Sequence, residues 1–360
     1  MGTAEIDWSG VRRVLVVRLR SIGDTVLATP SLIALRRFLP YADIDILVED
    51  WVAPLLDGFE EAGRLVASRD GIFSRLATAR EIRRRKYDVV FNLHGGTTAT
   101  FFAATSGARH RIGYQNYQYS FLYNHRLSSA KDFWKRDRTH SAEQQLALLG
   151  YAGVPVDDRP KSNLAVSQES LESGARKFFE QEGKQLNELG EFVLMHPAAA
   201  FDTKEWAAKN FARTAEYLKD KGLAVIAIAA ERERSVLENL KSHSQTPIHT
   251  FDNFALPEIV ALASRARLFV GNDSGIAHVA AAVDTPSVVV FGSSNRDHWR
   301  PWTDAPNEIV FEAIHCQPCP GFECKKFGEP QCIQNVSVAA VTGAIERVLA
   351  KERADPKVRP

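Results

Sequence analysis

The chain has 360 residues, 45% of them hydrophobic and 25% charged, with a formal net charge of +1. That length suits two ordinary domains, the composition excludes a disordered or fibrous chain, and no apolar run approaches the roughly 20 residues of a membrane helix. Residues 1–10 include Glu5 and Asp7 and lack an apolar centre, which argues against a signal peptide and leads to the expectation of a cytoplasmic location.

The first half alternates short apolar strands with helices. Residues 14–18 form an apolar run, followed by a turn at Ser21-Ile22-Gly23-Asp24 and a helical stretch over 25–38 that Asp24 would cap. Residues 44–48 read as a second strand, 52–59 and 73–86 as helices, and 88–93 as a third strand ending in His94-Gly95-Gly96. Almost unbroken apolar strands between helices predict a parallel sheet covered on both faces. Residues 113–140 are rich in Tyr, Asn, Arg and Lys without a clear period, which predicts a long functional loop. A helix over 139–149 is stopped by Gly150 and Gly153-Val154-Pro155, and the polar stretch 157–162 marks a domain boundary.

Charge is unevenly placed. Residues 1–165 hold 23 Lys+Arg against 18 Asp+Glu, and within them 64–140 hold 15 against 5, joined by His94, His110, His125 and His140. A basic half predicts an anionic partner; the competing reading is a solvated helix face, as for Arg83-Arg84-Arg85-Lys86. No zinc-finger spacing or interleaved aromatic repeat points to nucleic acid.

The second half repeats the alternation. Residues 192–195 read as a strand ending at His196-Pro197, 211–220 as a helix, 224–229 as a strand, 236–241 and 259–263 as helices, 268–270 as a strand, 275–283 as a helix, 287–291 as a strand and 338–351 as a terminal helix. Two doubly wound α/β domains follow, with the site expected at the carboxyl ends of the strands. Gly271-Asn272-Asp273-Ser274-Gly275-Ile276-Ala277-His278 passes from a buried strand into a helix. Such a turn offers free backbone N–H groups and a positive dipole end to a ligand; alternatively Asp273 or Ser274 caps the helix and His278 packs.

All four cysteines fall within seventeen residues, Cys316, Cys319, Cys324 and Cys332. Four thiolates at such spacing can close a structural zinc site, and a cytoplasmic setting disfavours disulfides. Reduced thiols or redox-labile disulfides remain the alternatives.

Three motifs coincide in order and spacing: Arg20-Ser21-Ile22-Gly23-Asp24 with Thr29-Pro30 and Leu35-Arg36-Arg37; His196-Pro197-Ala198-Ala199 with Lys204-Glu205-Trp206; and the 271–278 loop with Pro286 and Phe291-Gly292. With Arg111-Ile112-Gly113-Tyr114 midway, the set resembles the lipopolysaccharide heptosyltransferases of glycosyltransferase family 9 through nearly the whole chain. The resemblance implies a GT-B fold, two Rossmann-like domains facing across a cleft. It divides the chain into an acceptor-binding domain (1–160), a nucleotide-sugar-binding domain (161–335), and a C-terminal helix and tail (336–360) packing back on the first domain. It also implies inverting, metal-independent transfer of heptose, usually from ADP-heptose, to an acidic glycolipid at the inner membrane surface.

The resemblance assigns Asp24 as the general base, Lys204 to the departing diphosphate and Asp273 to the donor sugar. Inverting transfer needs one base for the acceptor hydroxyl and a cation for the leaving group, which these residue types supply. Ser21, Gly23, Thr203, Ser274 and Gly275 join the donor site, Glu231 is placed at the ribose, and His278 is either a donor contact or a packed histidine orienting the loop. Ala198, Ala199 and Ala200 stand where some relatives carry polar residues, which leaves backbone N–H groups for phosphate there. Arg109, Arg111, Lys131, Lys135, Arg136 and Arg138 are expected to attract the acidic acceptor.

Two other functional classes compete with this reading. A nicotinamide-dependent dehydrogenase would want Gly-x-Gly-x-x-Gly after a strand, and residues 20–24 lack those glycines. A non-catalytic module binding anionic glycans or lipid head groups, stapled by metal at the cysteines, would explain the basic half but not the coincidence of Asp24, Lys204 and Asp273.

Overall fold

Strands of three to seven residues, the central ones buried along most of their length, build two parallel six-stranded sheets joined by helical crossovers. The computed structural model describes residues 4–67, 71–319 and 321–354. The chain divides into two compact units, residues 1–164 and 165–360, the division falling just beyond the polar stretch 157–162.

The first sheet contains β1 (Arg13–Val17), β2 (Asp43–Glu49), β3 (Gly63–Ala67), β4 (Val89–Asn92), β5 (His110–Tyr114) and β6 (His125–Leu127), in the order β3-β2-β1-β4-β5-β6. The second contains β7 (Phe192–His196), β8 (Ala224–Ile228), β9 (His249–Phe251), β10 (Leu268–Asn272), β11 (Ser287–Phe291) and β12 (Asn307–Phe311), in the order β12-β11-β10-β7-β8-β9. Counted from its own first strand, each sheet runs 3-2-1-4-5-6, the doubly wound order of dinucleotide-binding folds. Both units are therefore α/β and Rossmann-like.

Central strands are apolar on both faces because helices cover both. Leu15 and Val17 of β1 pack with Val90, Phe102 and Ala103 in the first core. In the second, Val193, Met195, Val270 and Val290 meet Trp206, Phe211, Ile345 and Val348. The terminal helix (Val338–Ala354) is part of that second core, packed on β11, β12 and the Ala208–Asp220 helix. Residues 355–360 of the 336–360 tail lie outside the described residues.

The structure corrects several sequence expectations. The stretch 25–38 is two helices, Ile22–Val26 and Thr29–Phe38, and Asp24 lies inside the first turn of the first; Ser21 is its N-cap. Residues 113–140 are not one loop: they hold the end of β5, the strand β6 and a short helix, Ala130–Trp134. Edge strands such as β6 and β9 are three residues long, too short to show a period. No helix among the described residues is long and apolar enough to cross a membrane.

Candidate active site

Strand order reverses between β1 and β4 in one unit and between β7 and β10 in the other. Crossovers leave in opposite directions at such a switch point, so a crevice opens outside the carboxyl ends of those strands and accepts ligands. The candidate residues lie at both switch points. Asp24 follows β1, Lys204 follows β7 and Asp273 follows β10 directly.

In the first unit, Arg18 at the end of β1 is 92% buried and its guanidinium donates to Asp24 Oδ1 and to the Leu93 carbonyl after β4. Asp24 Oδ2 accepts from the Ser21 N–H at 3.3 Å and from Ser21 Oγ at 3.2 Å. Both oxygens are thus oriented while the side chain stays partly open to solvent. Gly23 is buried in the same turn. Across the switch point, Asn92 at the end of β4 accepts from the backbone N–H groups of His94 and Gly95 and donates to Tyr123. That brace shapes the turn at Gly95 and Gly96, whose φ values of +74° and +63° favour glycine.

In the second unit, Lys204 Nζ donates to Asp273 Oδ2 at 2.8 Å, and Ser294 Oγ donates to the same oxygen at 2.5 Å. Asp273 is buried and Lys204 is partly exposed, so a cation reaches solvent on a carboxylate platform. Asn272 at the end of β10 repeats the part of Asn92: it donates to the Pro197 carbonyl and accepts the Trp206 N–H. Trp206 is fully buried core, its indole donating to the Val336 carbonyl. Ser274 is the N-cap residue of the Gly275–Ala282 helix, yet its hydroxyl does not cap; it lies 3.2 Å from His196 Nδ1. The helix N-terminus stays open beside Lys204's partner, a combination suited to a diphosphate.

Burial pushes the His196 imidazole down to about 4, with the charge of Glu233 opposing. A folded-state value below the ordinary ~6.5 means the unfolded chain takes up a proton that the folded chain refuses. Stability contributed by neutral His196 is complete above pH ~6.5 and is lost as pH falls toward about 4. Urea midpoints are expected to drop over that window, and His196→Gln is expected to flatten the slope; an unchanged slope contradicts the assignment.

Other predicted residues lie elsewhere. Thr203 is buried, its hydroxyl donating to the Gly321 carbonyl and accepting from Ser293 Oγ, so it serves the cysteine segment. Gly292 belongs to the same clasp, because a Cβ there would run into the Thr203 carbonyl. Glu231 is exposed in a short turn after β8, 3.9 Å from Arg234. His278 is buried within the helix. Arg109, Lys131, Lys135 and Arg138 are exposed. Arg111 is committed to the carbonyls of Leu122 and Ala108, and Arg136 pairs with the buried Glu143, so both hold structure.

All four thiols are free and line one cavity of about 660 Å³, beside Phe322 and Ser293. Burial raises the Cys332 thiol pKa, and the neighbouring Cys316, Cys324 and Cys319 add to it. Among the described residues no three His, Cys, Asp or Glu side chains are gathered to hold a metal ion, so the structural zinc at Cys316, Cys319, Cys324 and Cys332 is not supported. Sequence reasoning missed Arg18, Asn272, His196 and Ser294. Their signal was position, since each stands at the carboxyl end of a central strand or just after one.

The model of glycosyltransferase family 9 (heptosyltransferase) matches residues 75–327. The chain is 27% identical to lipopolysaccharide heptosyltransferase 3 of Escherichia coli over 354 residues, covering 92% of this chain and 97% of the relative. Its fold is similar to a family 9 glycosyl transferase from Veillonella parvula, with a TM-score of 0.81, 20% identity and coverage of 97% and 99%. It is also similar to the E. coli ADP-heptose lps heptosyltransferase II, with a TM-score of 0.79, 20% identity and coverage of 95% and 99%.

Proposed function

The chain belongs to glycosyltransferase family 9, the heptosyltransferases, and from that premise we propose that it moves heptose from ADP-heptose to an acidic inner-core acceptor of lipopolysaccharide. The contact between Lys204 and Asp273 carries the reading: a partly exposed cation fixed on a buried carboxylate, next to an open helix N-terminus. Asp24, oriented by Arg18 and Ser21, takes the proton from the acceptor hydroxyl as that oxygen attacks the anomeric carbon. The bond to ADP breaks on the opposite face, which inverts the configuration. Lys204 meets the charge that develops on the leaving diphosphate, so the scheme asks for no metal ion. Asp273 and Ser274 orient the donor, and Glu231 takes the ribose.

The acceptor side rests on the basic first unit. Exposed Arg109, Lys131, Lys135 and Arg138 concentrate an anionic glycolipid, and on this reading the enzyme works peripherally at the cytoplasmic face of a membrane. Arg109→Glu combined with Lys135→Glu is expected to raise the acceptor KM by roughly tenfold at low salt and less at high salt, with donor affinity unchanged. An unaltered KM sinks this assignment.

The reading is tested by offering ADP-, GDP- and UDP-sugars to the purified protein, scored by thermal shift and slow donor hydrolysis. A response selective for ADP-heptose is expected. Silence toward every nucleotide sugar overturns the proposal.

A further inference from the structure

The helix Gly71–Arg85 follows β3 and packs on the first sheet through a side made of small residues. Thr78, Ala79 and Ile82 are its buried positions, and the last two join Leu65, Ala67, Ala99 and Phe102 in the core. Its large apolar residues face solvent instead. Phe73 is 84% exposed, Ile72 68% and Leu76 42%. A surface helix ordinarily turns such residues inward, because apolar area left in water is unfavourable. Single exposed apolar residues are unremarkable, but three within about one and a half turns form a patch that calls for a partner.

The same face continues in arginine. At about 100° per residue, positions 72, 73, 76, 80, 83 and 84 fall within a stripe about 120° wide. Ile72, Phe73, Leu76, Arg80, Arg83 and Arg84 are all exposed. The arginines lie about 6–18 Å along the axis from the apolar end. The helix holds five arginines against one carboxylate, Glu81, which is already paired with Arg84 Nε at 2.8 Å and Arg85 Nε at 2.9 Å. The adjoining helix Thr97–Thr105 adds an exposed Phe101 and no acidic side chain.

We propose that this face docks the protein on an anionic lipid bilayer, with Ile72, Phe73 and Leu76 entering the interface and Arg80, Arg83 and Arg84 meeting lipid phosphates. The proposal rests on the reading of a peripheral enzyme given above and names the surface that carries it. An apolar end with a basic flank on one exposed face suits a helix lying in a lipid interface, where the apolar side enters by about 5–10 Å. Arginine stems cover apolar surface while their heads stay at the level of the phosphates. A second copy of the chain fits less well. A twofold contact through this face would gather the arginines of both helices around only two carboxylates, both already engaged.

The apolar end also has a definite place in the fold. β3 ends at Ala67 and the helix begins at Gly71, so Ile72 and Phe73 stand at the carboxyl rim of the sheet, the rim on which Asp24 follows β1. Docking by that rim turns the ligand end of the first sheet toward the bilayer, where the head of a lipid-anchored acceptor lies.

Co-sedimentation of the full-length protein with vesicles tests the surface, using phosphatidylglycerol mixed into phosphatidylethanolamine, with phosphatidylcholine alone as the neutral control. Wild type is expected to bind the anionic vesicles at least about tenfold more tightly than the neutral ones, and less tightly as salt rises. Ile72→Ser with Phe73→Ser is expected to weaken binding about tenfold or more at every salt concentration, whereas Phe73→Leu, which keeps the apolar end, retains it. Arg80→Gln with Arg84→Gln is expected to weaken binding about tenfold at low salt and to flatten the salt dependence. All four positions are exposed, so thermal midpoints are expected to stay near wild type. Absent binding, equal binding to both vesicle types, or variants that bind as wild type overturn the proposal. So does a concentration-dependent dimer that Phe73→Ser dissolves, since it gives the face to a second copy. Sedimentation is read without turnover, so a protein that docks through this face but never transfers heptose refutes the proposed function and leaves the surface standing.

Discussion

Asp24→Asn is expected to lower kcat by about 10²–10⁴-fold while leaving ADP affinity within twofold. The substitution keeps the size and shape of the side chain, but it removes the proton acceptor together with the charge that pairs with buried Arg18, and it turns one of the two acceptor oxygens into a donor. Arg18 still donates to the amide oxygen, whereas the Ser21 N–H loses its acceptor, so a urea midpoint measured beside the rates separates loss of the base from loosening of the turn. Steady-state rates with saturating donor and acceptor, beside a binding isotherm for ADP, check the split. A kcat within a few-fold of wild type removes Asp24 from the base role. Arg18→Lys is a useful companion, because it retains the charge but not the fork that reaches both Asp24 and the Leu93 carbonyl.

Lys204→Ala is expected to lower both donor affinity and turnover, each by about tenfold to a hundredfold, since an ammonium on a diphosphate contributes roughly 1.5–3 kcal/mol. Truncation also leaves Asp273 buried with Ser294 as its remaining donor, so some loss of stability accompanies it. Lys204→Arg separates the two effects. It restores a cation to Asp273 and the fold, while its longer planar head alters the approach to phosphate. The readouts are ADP affinity, kcat and the urea midpoint. Donor affinity equal to wild type in Lys204→Ala, with the protein folded, would falsify the assignment of Lys204 to the diphosphate.

How much of the site was legible depended on whether a residue acts locally. Asp273, Ser274 and Gly275 were readable because strand, turn and helix are contiguous in the chain. Lys204 was readable only through its resemblance to a motif, since a lysine before a helix has no local signature. Arg18 was missed because it completes an apolar strand, and its partners Asp24 and Leu93 lie 6 and 75 residues away. Thr203 was misread for the opposite reason: next to Lys204 in sequence, it turns instead to Gly321 and Ser293. Arg111 and Arg136 looked like surface charge but are consumed by carbonyls and by Glu143.

The alternation of short apolar runs with helices was enough by itself to determine two parallel-sheet α/β units, because burying both faces of a strand leaves a mark on every residue of it. Turn chemistry at 21–24 and 271–275 likewise marked where a ligand is met, since glycines and N-terminal turns act within a few residues. Tertiary structure alone decided which side chains meet. Lys204 reaches Asp273 across 69 positions because β7 and β10 are hydrogen-bonded neighbours at the point where strand order reverses. No local pattern encodes that adjacency. It follows from which strands pair, a choice settled by the packing of the whole sheet.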